Sequence, residues 1–335
     1  MSGRFFVMPG GVDDPARPSG GNRYDRAVCD RLADVNEIAV PGSWPRPAAR
    51  AVDTLAAALS DIPEMSDVVI DGLVGCGVPE VIERAASRLR VIMLVHLPLG
   101  DESAEAADLV PLERRALHAA DRVVVTSDQA AARVIALHGL PVDKVSVAAP
   151  GVDLAPPAEP SPGGGRFLCV AAISHRKGQD VLLSALAALE DLDWTCTFAG
   201  AGTPPVTEMR GVIFAGPLGG AELDATYGAA DLLVLPSRAE TYGMVVTEAL
   251  ARGLPVVGTL VDGVPEALGA APDGTIPGML VPPGDPAALA VALREWLSDA
   301  RLRERWRAAA RARRETLRGW DETARLLDGV LRDDG

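Results

Sequence analysis

The sequence predicts an α/β protein of two domains, each built on a parallel sheet. Short apolar segments of strand length alternate with amphipathic helical segments along most of the 335 residues, which is the pattern of βαβ units. The alternation is interrupted at Leu154–Gly165 (LAPPAEPSPGGG), where Pro, Gly and Ala dominate. A chain of this length has room for two cores of ordinary size. We therefore expect domains at 1–153 and 166–318 with a linker at 154–165.

The first domain contains predicted strands rich in Val, Ile, Leu, Phe and Met. They are Phe5–Met8, Glu37–Val40, Asp67–Ile70, Val91–His96, Arg122–Thr126 and Val145–Ala148. Apolar residues spaced by three and four between these strands predict helices, among them Asn22–Ala33, Ala51–Leu59 and Val78–Ala86. Each strand is thus followed by a segment that can cover one face of the sheet.

The second domain repeats this alternation and then becomes helical. Its predicted strands are Arg166–Ala172, Trp194–Ala199, Val212–Ala215, Leu232–Leu235, Pro255–Gly258 and Gly278–Val281. Predicted helices are Gly178–Leu189, one beginning near Gly243, Asp285–Leu297, Leu302–Leu317 and, after a break at Gly319, Trp320–Leu331.

Composition and charge exclude several classes of partner. The formal net charge is −14 and the pI is about 4.8, whereas nucleic-acid binding favours a basic surface. The first predicted helix mixes Arg with Asp and lacks the basic amphipathic character of a membrane-surface helix. No apolar run has the length of a membrane span and the N-terminus lacks a secretory pattern, so we expect a cytoplasmic protein without membrane partners. The scattered Cys29, Cys76, Cys169 and Cys196 predict buried thiols, and no metal site is expected.

The segment 231–258 (DLLVLPSRAETYGMVVTEALARGLPVVG) points most directly to chemistry. Glu240 and Glu248 lie eight positions apart, on either side of the predicted start of a helix. The backbone amides between them belong to Thr241, Tyr242, Gly243, Met244 and Val245. Amides at a helix start favour a phosphate, and carboxylates accept hydrogen bonds from hydroxyl groups. A ligand with central phosphates and a sugar on each side, a nucleotide-sugar, satisfies both preferences.

The same segment resembles a known family through P-S-R-A-E-T-Y-G-M, E-A-L-A-R-G-L-P-V-V and the P-G-V-D at 150–153. It is similar to the E-x7-E signature of retaining glycosyltransferases, in particular glycosyltransferase family 4 (group 1). The resemblance implies the GT-B fold, in which two Rossmann-like domains present their parallel sheets across a cleft. It also implies that residues 319–335 form a helix crossing back to the N-terminal domain, that the N-terminal domain binds the acceptor, and that the C-terminal domain binds the donor.

Lys177, in ISHRKGQDVLL, follows a predicted strand at the carboxyl edge of the second sheet. A lysine there can neutralise a diphosphate, and Gly178 lets the backbone approach; an exposed lysine at a helix cap is the alternative. The family usually has an Arg five residues earlier, where this chain has Ala172, and the adjacent Arg176 is the candidate replacement.

Gly20, Gly21 and His96 are the candidates in the first domain. The glycine pair resembles the one that the family places under the donor diphosphate, although a plain turn is the alternative. His96 ends a predicted strand, and the resemblance places it near the donor sugar; a hydrogen-bonded core histidine is the alternative. By resemblance, Gly200, Gly202, Gly216 and Leu218 line the pocket for base and ribose, Glu248 binds the ribose, and Glu240 binds the donor sugar.

The resulting hypothesis is a metal-independent retaining glycosyltransferase without a cofactor. It would move a sugar from a nucleoside diphosphate donor to a hydroxyl of a small soluble acceptor, such as a sugar or a natural product. A sugar-nucleotide epimerase of the same fold and a non-catalytic nucleotide-sugar binding protein remain alternatives. The identities of base, sugar and acceptor, and the oligomeric state, stay open.

Overall fold

Two parallel sheets of six strands each form the framework of the protein. The structure is a computed structural model and describes residues 3–14, 19–101, 104–206 and 208–333. The strands of the first sheet are β1 (Arg4–Pro9), β2 (Val35–Val40), β3 (Asp67–Asp71), β4 (Arg90–Val95), β5 (Arg122–Val125) and β6 (Val145–Val147). Those of the second are β7 (Arg166–Val170), β8 (Thr195–Ala199), β9 (Val212–Gly216), β10 (Leu232–Leu235), β11 (Val256–Thr259) and β12 (Gly278–Val281). The predicted α/β class with two parallel sheets is confirmed.

Both sheets have the strand order of doubly wound folds. The orders are β2-β1-β3-β4-β5-β6 and β12-β11-β10-β7-β8-β9. In each sheet the second strand in sequence lies on one side of the first strand, and later strands are added on the other side of the first strand. Ligands of such sheets bind outside the carboxyl ends of the strands, next to the point where the order reverses. That point lies between β1 and β3 in the first sheet and between β7 and β10 in the second.

Helices cover both faces of the sheets. They are α1 (Gly20–Cys29), α2 (Ala49–Ser60), α3 (Gly72–Gly75), α4 (Pro79–Ala86), α5 (Val110–Ala119), α6 (Asp128–His138), α7 (Gln179–Ala187), α8 (Gly220–Ala229), α9 (Met244–Leu250), α10 (Val264–Leu268), α11 (Pro286–Ser298), α12 (Ala300–Arg314) and α13 (Trp320–Arg332). Short 3₁₀ turns occur at Leu99–Asp101, Ala104–Leu109, Val142–Lys144 and His175–Lys177. Among the described residues, no helix combines the length and the apolar character that crossing a bilayer requires.

The first helix differs from its prediction. The apolar pattern predicts Asn22–Ala33, whereas α1 spans Gly20–Cys29. The Ser19 side chain accepts a hydrogen bond from the Asn22 amide at 3.0 Å, so it caps the helix and draws both glycines into the first turn. Gly20 and Gly21 are therefore helical residues rather than part of a turn that precedes the helix.

The chain divides into two compact units, and the first of them consists of two segments that are separated in sequence by the second unit. Unit 1 comprises Met1–Gly151 and Trp320–Gly335, and unit 2 comprises Val152–Gly319. Helix α13 belongs to unit 1, where it packs against α1. Residues 154–165 belong to unit 2 and are bonded along it, since the amides of Ala158 and Glu159 donate to the carbonyls of Arg252 and Gly228 at 2.9 Å.

The cores lie on the faces of the sheets and consist of the strand residues and the helices above them. The strand segments Val91–Val95 and Leu232–Leu235 are buried throughout, as expected for parallel strands covered on both sides. All four cysteines are buried thiols, in agreement with the expectation for small apolar side chains.

Candidate active site

The turn that carries Lys177 is pressed against the loop after β10. Lys177 ends the 3₁₀ turn His175–Lys177, and the next residue, Gly178, has a φ of +68°. A side chain at Gly178 would overlap the Pro236 carbonyl oxygen. Glycine is therefore required twice at this position, for its backbone conformation and for the close approach. As a result, the Lys177 side chain reaches the segment that contains Glu240.

Lys177 and Glu240 form an ion pair. The Lys177 ammonium donates to Glu240 Oε2, and the two side chains are 18% and 11% exposed. The Ser237 hydroxyl lies 3.4 Å from the same oxygen. The Glu240 amide donates to the Asp262 carboxylate at 2.9 Å, which fixes the loop against the end of β11. The two residues that the sequence singles out as a phosphate ligand and a sugar ligand are thus in direct contact.

Arg176 lies along the same loop. Its Nη1 is 3.4 Å from the Ala239 carbonyl oxygen, and its own carbonyl accepts from the Arg238 amide at 2.7 Å. The Arg238 guanidinium pairs with Asp180 at 2.6 Å. Both arginines therefore connect the Lys177 turn to the segment before Glu240.

A buried glutamine, which the sequence analysis missed, holds the loop at Ala172. Gln179 is 2% exposed; its side-chain amide donates to the Ala172 carbonyl at 3.0 Å and accepts from the Ser174 amide at 3.3 Å. The sequence does carry one indication of this role, because Gln179 is a polar residue on the apolar face of α7. Gln179 thus fixes the backbone immediately before the Lys177 turn.

Glycines lie at the carboxyl ends of the parallel strands β8 and β9. A side chain at Gly200 would overlap the Ala171 carbonyl oxygen, and Gly202 has a φ of +125° beside Ile173. Gly216 ends β9 with a φ of +72°. Leu218 is half-buried and packs, like Tyr242, against the core between the sheet and α9.

The start of α9 is shaped by Gly243. This residue has a φ of +88° and provides no side-chain cap. Thr241 and Tyr242 lie in the loop before it, and Met244 and Val245 begin the helix. Because α9 has only seven residues, the local amides of its first turn matter more than a macrodipole. Burial raises the pKa of the Tyr242 phenol, so the hydroxyl stays protonated.

Glu248 is held by a tyrosine that the sequence analysis did not single out. Glu248 is 8% exposed, and its Oε2 accepts from the Tyr227 hydroxyl at 2.8 Å. The Arg252 guanidinium lies over the Tyr227 ring, 4.5 Å from its centroid, and donates to the Glu248 carbonyl at 2.9 Å. A buried Tyr needs a partner for its hydroxyl, but which partner it has depends on the packing of α8 against α9.

In unit 1 the structure brings Gly21 and His96 together. A side chain at Gly21 would lie 3.0 Å from His96 Cδ2, so this glycine makes room for the imidazole. Gly20 precedes it in the first turn of α1. His96 follows β4, keeps 16% exposure, and its Nε2 lies 2.7 Å from Asp25 Oδ1. The Tyr24 ring contacts it edge-on with centroids 5.0 Å apart.

Asp25 and Asp71 complete a buried cluster around His96 that the sequence analysis missed. One ligand atom of each of the three side chains lies within 4.8 Å of the others. Burial raises the pKa of Asp25 to about 7 and that of Asp71 well above its usual range. Burial also lowers the pKa of His96, against the opposing effect of Asp71. Within the described residues this is the cluster whose donor atoms would suit a cation.

Comparisons with known proteins follow the two units. Residues 164–299 match the family model described as Glycosyl transferases group 1, and residues 23–156 match that of Glycosyltransferase Family 4. The chain is 30% identical to D-inositol 3-phosphate glycosyltransferase 1 of Catenulispora acidiphila, over 92% of this chain and 85% of that protein. It is 33% identical to the D-inositol 3-phosphate glycosyltransferase of Kineococcus radiotolerans, over 69% and 61% of the two chains.

Two solved structures share the fold over nearly the whole chain. Sucrose-phosphate synthase from Thermosynechococcus elongatus superposes with a TM-score of 0.79 at 20% identity, covering 99% of this chain and 98% of the other. Anabaena HepE, solved in complex with UDP and glucose, gives a TM-score of 0.77 at 17% identity, covering 99% and 100%. At these identities the likeness concerns the fold, and the expected GT-B architecture is confirmed.

Proposed function

This chain belongs to the group 1 glycosyltransferases, with a family 4 N-terminal half, and we propose that it is a retaining, metal-independent enzyme acting on small acceptors. The donor would be a nucleoside diphosphate sugar, bound at the carboxyl edge of the unit 2 sheet. The observation that carries the proposal is the position of Lys177 and Glu240 at that edge, next to the α9 segment that contains Glu248. These groups supply a cation for a diphosphate and carboxylates for sugar hydroxyls.

The Lys177–Glu240 ion pair opens when the donor binds. When a diphosphate binds, its oxygens compete with Glu240 for the Lys177 ammonium, and the released carboxylate can accept hydrogen bonds from the donor sugar. Negative charge then grows on the leaving nucleoside diphosphate as the glycosidic bond breaks. A preorganised ammonium in a partly buried position stabilises that charge. Arg176 supplies a second positive charge on the same turn.

The metal-independent part of the proposal rests on this lysine. A cation supplied by the chain takes the place that a divalent ion has in other sugar transferases. Transfer should therefore persist in the presence of excess EDTA. Loss of activity in EDTA that added Mg²⁺ or Mn²⁺ restores would contradict it.

Retention would follow from attack by the acceptor hydroxyl on the same face from which the diphosphate leaves. The proton of that hydroxyl passes to the departing phosphate oxygen, so no covalent enzyme intermediate is needed. The anomeric configuration of the product, read from its proton NMR coupling constant, tests this point. An inverted product would exclude it.

Donor binding can be tested before any acceptor is known. A thermal-shift panel of UDP-, GDP-, ADP- and dTDP-sugars should reveal a donor that raises the unfolding temperature, since a ligand stabilises the state that binds it. Failure of all four classes to stabilise the protein would contradict the proposal. With the best donor, release of nucleoside diphosphate should require an acceptor; conversion of the sugar without acceptor would indicate an epimerase.

Acceptors are sought among small polyhydroxylated molecules. The relatives are named for inositol 3-phosphate, and a structural neighbour is named for sucrose phosphate. The net charge of −14 also disfavours anionic surfaces as acceptors. A panel of inositol, inositol 3-phosphate, sugars and sugar phosphates, followed by nucleoside diphosphate release, should identify the class.

Removing the Glu248 carboxylate should weaken binding of the donor nucleotide. Glu248→Ala is expected to raise the donor KM by about 10- to 100-fold with a smaller change in kcat, because hydrogen bonds to a charged acceptor contribute about 1.5–3 kcal/mol. Tyr227→Phe deletes the hydroxyl that holds Glu248 and should raise the donor KM by about tenfold. Both changes are measured by steady-state kinetics.

The control is Glu222→Gln, an exposed residue on the same helix as Tyr227. It should leave the donor KM unchanged. A donor lacking the ribose hydroxyls should bind wild type and Glu248→Ala equally. If Glu248→Ala prefers the intact donor over the donor without ribose hydroxyls as strongly as wild type does, Glu248 does not bind the ribose.

A further inference from the structure

The cluster Asp25–Asp71–His96 of unit 1 poses an electrostatic problem that the transfer reaction does not explain. Asp25 is fully buried and Asp71 is 2% exposed, and one oxygen of each carboxyl group lies within 4.8 Å of the other and of one imidazole nitrogen. Two carboxylates cannot both remain charged at such a distance in a buried position without a compensating proton or cation.

The hydrogen bonds around the cluster show which carboxylate oxygen lacks a partner for its charge. Asp71 accepts from the Leu73 amide at 2.7 Å as the N-cap of α3, and Asp25 Oδ1 takes the contact from His96 Nε2 at 2.7 Å. Asp25 Oδ2 is buried and has no hydrogen-bond partner among the described residues. A single proton between the two carboxyl groups would satisfy this oxygen and remove one of the two buried charges.

The distance between His96 and Asp25 favours a proton over a metal ion. Two ligands of one tetrahedral zinc, each about 2.0–2.1 Å from the ion, lie about 3.3 Å apart. The observed 2.7 Å is instead the length of a charge-assisted hydrogen bond. Because burial disfavours the charged imidazole, a neutral His96 can donate this bond through Nε2–H.

We propose that Asp25 and Asp71 share one proton and that the remaining charge on Asp25 fixes the His96 imidazole with Nε2–H donated. Both aspartates are thus positioning residues that act through His96. The other ring nitrogen, Nδ1, is then a hydrogen-bond acceptor of constant orientation. The acceptor nitrogen could serve a substrate hydroxyl, and this last step rests on the proposed transfer reaction.

The other groups around the pair do not supply the missing charge. Tyr24 neighbours Asp25 on α1, but its pKa is raised by burial and its hydroxyl donates to the Ala148 carbonyl at 2.9 Å. Burial raises the pKa of Asp25 more than Arg26 lowers it, and the Arg26 guanidinium bonds Glu37 at 2.7 Å and Asp13 at 2.9 Å. The buried Cys76 thiol stays protonated, and the α13 residue that packs on Tyr24 is the uncharged Trp320.

The pH dependence has a defined sign. Above about pH 7 the pair holds one proton and Asp25 carries the charge that orients His96. As the pH falls through 7, a second proton neutralises Asp25, and the imidazole loses its charged acceptor. Turnover should therefore fall on the acid side with a midpoint near pH 7, and this limb should reflect the Asp25–Asp71 pair and require the Asp25 carboxyl group.

Two isosteric variants separate the roles of the carboxyl groups. Asp71→Asn places a permanent donor where the shared proton lies, so it should lower kcat less than Asp25→Asn does and keep the acid limb. Asp25→Asn removes the charge, so it should lower kcat at pH 8 by about tenfold and abolish the acid limb, with the donor KM unchanged. Asp53→Asn, on the exposed face of α2, is the control and should match wild type.

Nitrogen NMR of the imidazoles tests the proton directly and needs no activity. The His96 signals, identified by their loss in His96→Gln, should show the Nε2–H tautomer above pH 7 in wild type and Asp71→Asn, and lose this preference in Asp25→Asn. Equal loss of turnover and tautomer in both aspartate variants, or a tightly held divalent ion whose removal abolishes the tautomer, would overturn the inference. Absence of transfer with every donor, but with the predicted tautomers, would contradict the proposed function alone.

Discussion

Lys177→Ala should lower turnover by about 100-fold or more with the preferred donor, because a preorganised charge beside the leaving group contributes about 2.7–4 kcal/mol to transition-state stabilisation. The effect should appear mainly in kcat, since the charge on the diphosphate is greatest when the glycosidic bond is breaking. Lys177→Arg should restore part of the activity, because the guanidinium keeps the charge but has a different shape. Rates of nucleoside diphosphate release at saturating donor measure all three proteins.

The chain provides an internal control for this experiment. Its only other lysine, Lys144, lies in unit 1 and donates to the His118 carbonyl at 2.7 Å. Lys144→Ala should leave turnover within about twofold of wild type, as expected for a surface hydrogen bond. Because Lys177→Ala leaves Glu240 without its partner, thermal unfolding must show that unit 2 remains folded. Full activity of a folded Lys177→Ala protein would refute the diphosphate role of Lys177.

Gly178→Ala should destabilise unit 2 by about 3 kcal/mol or more. The substitution places a side chain at a φ of +68° and against the Pro236 carbonyl oxygen, so the Lys177 turn must move away from the loop that carries Glu240. Activity should fall with stability, because the ion pair depends on this close approach. Urea unfolding followed by a probe in unit 2, such as the fluorescence of its tryptophans, measures the loss.

Gly284→Ala separates the two causes of this destabilisation. Gly284 lies in the same unit with a φ of +70°, but a side chain there would meet nothing within 4 Å. Its substitution should cost only the backbone strain, about 1 kcal/mol. Equal losses for the two variants would show that contact with Pro236 contributes nothing.

The sequence predicted the fold well because the apolar pattern of buried strands is local. Each of the twelve strands in the described part of the chain lies where its prediction places it, with ends that differ by at most a few residues. The predicted start of α1 was wrong because the Ser19 cap, and not the apolar periodicity, decides where that helix begins. The backbone bonds of the proline-rich segment 154–165 to Arg252 and Gly228 likewise depend on distant residues, which its composition does not reveal.

The site was predicted less completely because contacts between side chains are not local. Separate sequence motifs indicated Lys177 and Glu240 as site residues. Their pairing depends on the close contact of Gly178 with Pro236 between two loops. Tyr227, Gln179 and Asp25 looked like ordinary helix residues in the sequence. Each is buried and bonded to a residue outside its own helix, which a pattern of hydrophobicity does not reveal.

Helix α13 links the order of synthesis to the formation of the His96 cluster. Its Trp320 packs edge-on against Tyr24 with centroids 5.7 Å apart, and its Thr323 hydroxyl donates to the Ala149 carbonyl at 2.8 Å. Of the two units, unit 1 begins to leave the ribosome before unit 2 and is completed after it, since residues 320–335 follow all of unit 2. Until then the apolar surface that α13 covers is open to water or to other proteins. A nascent chain arrested after Gly319 and before α13 emerges should present this surface to chaperones, although all of unit 2 has been synthesised.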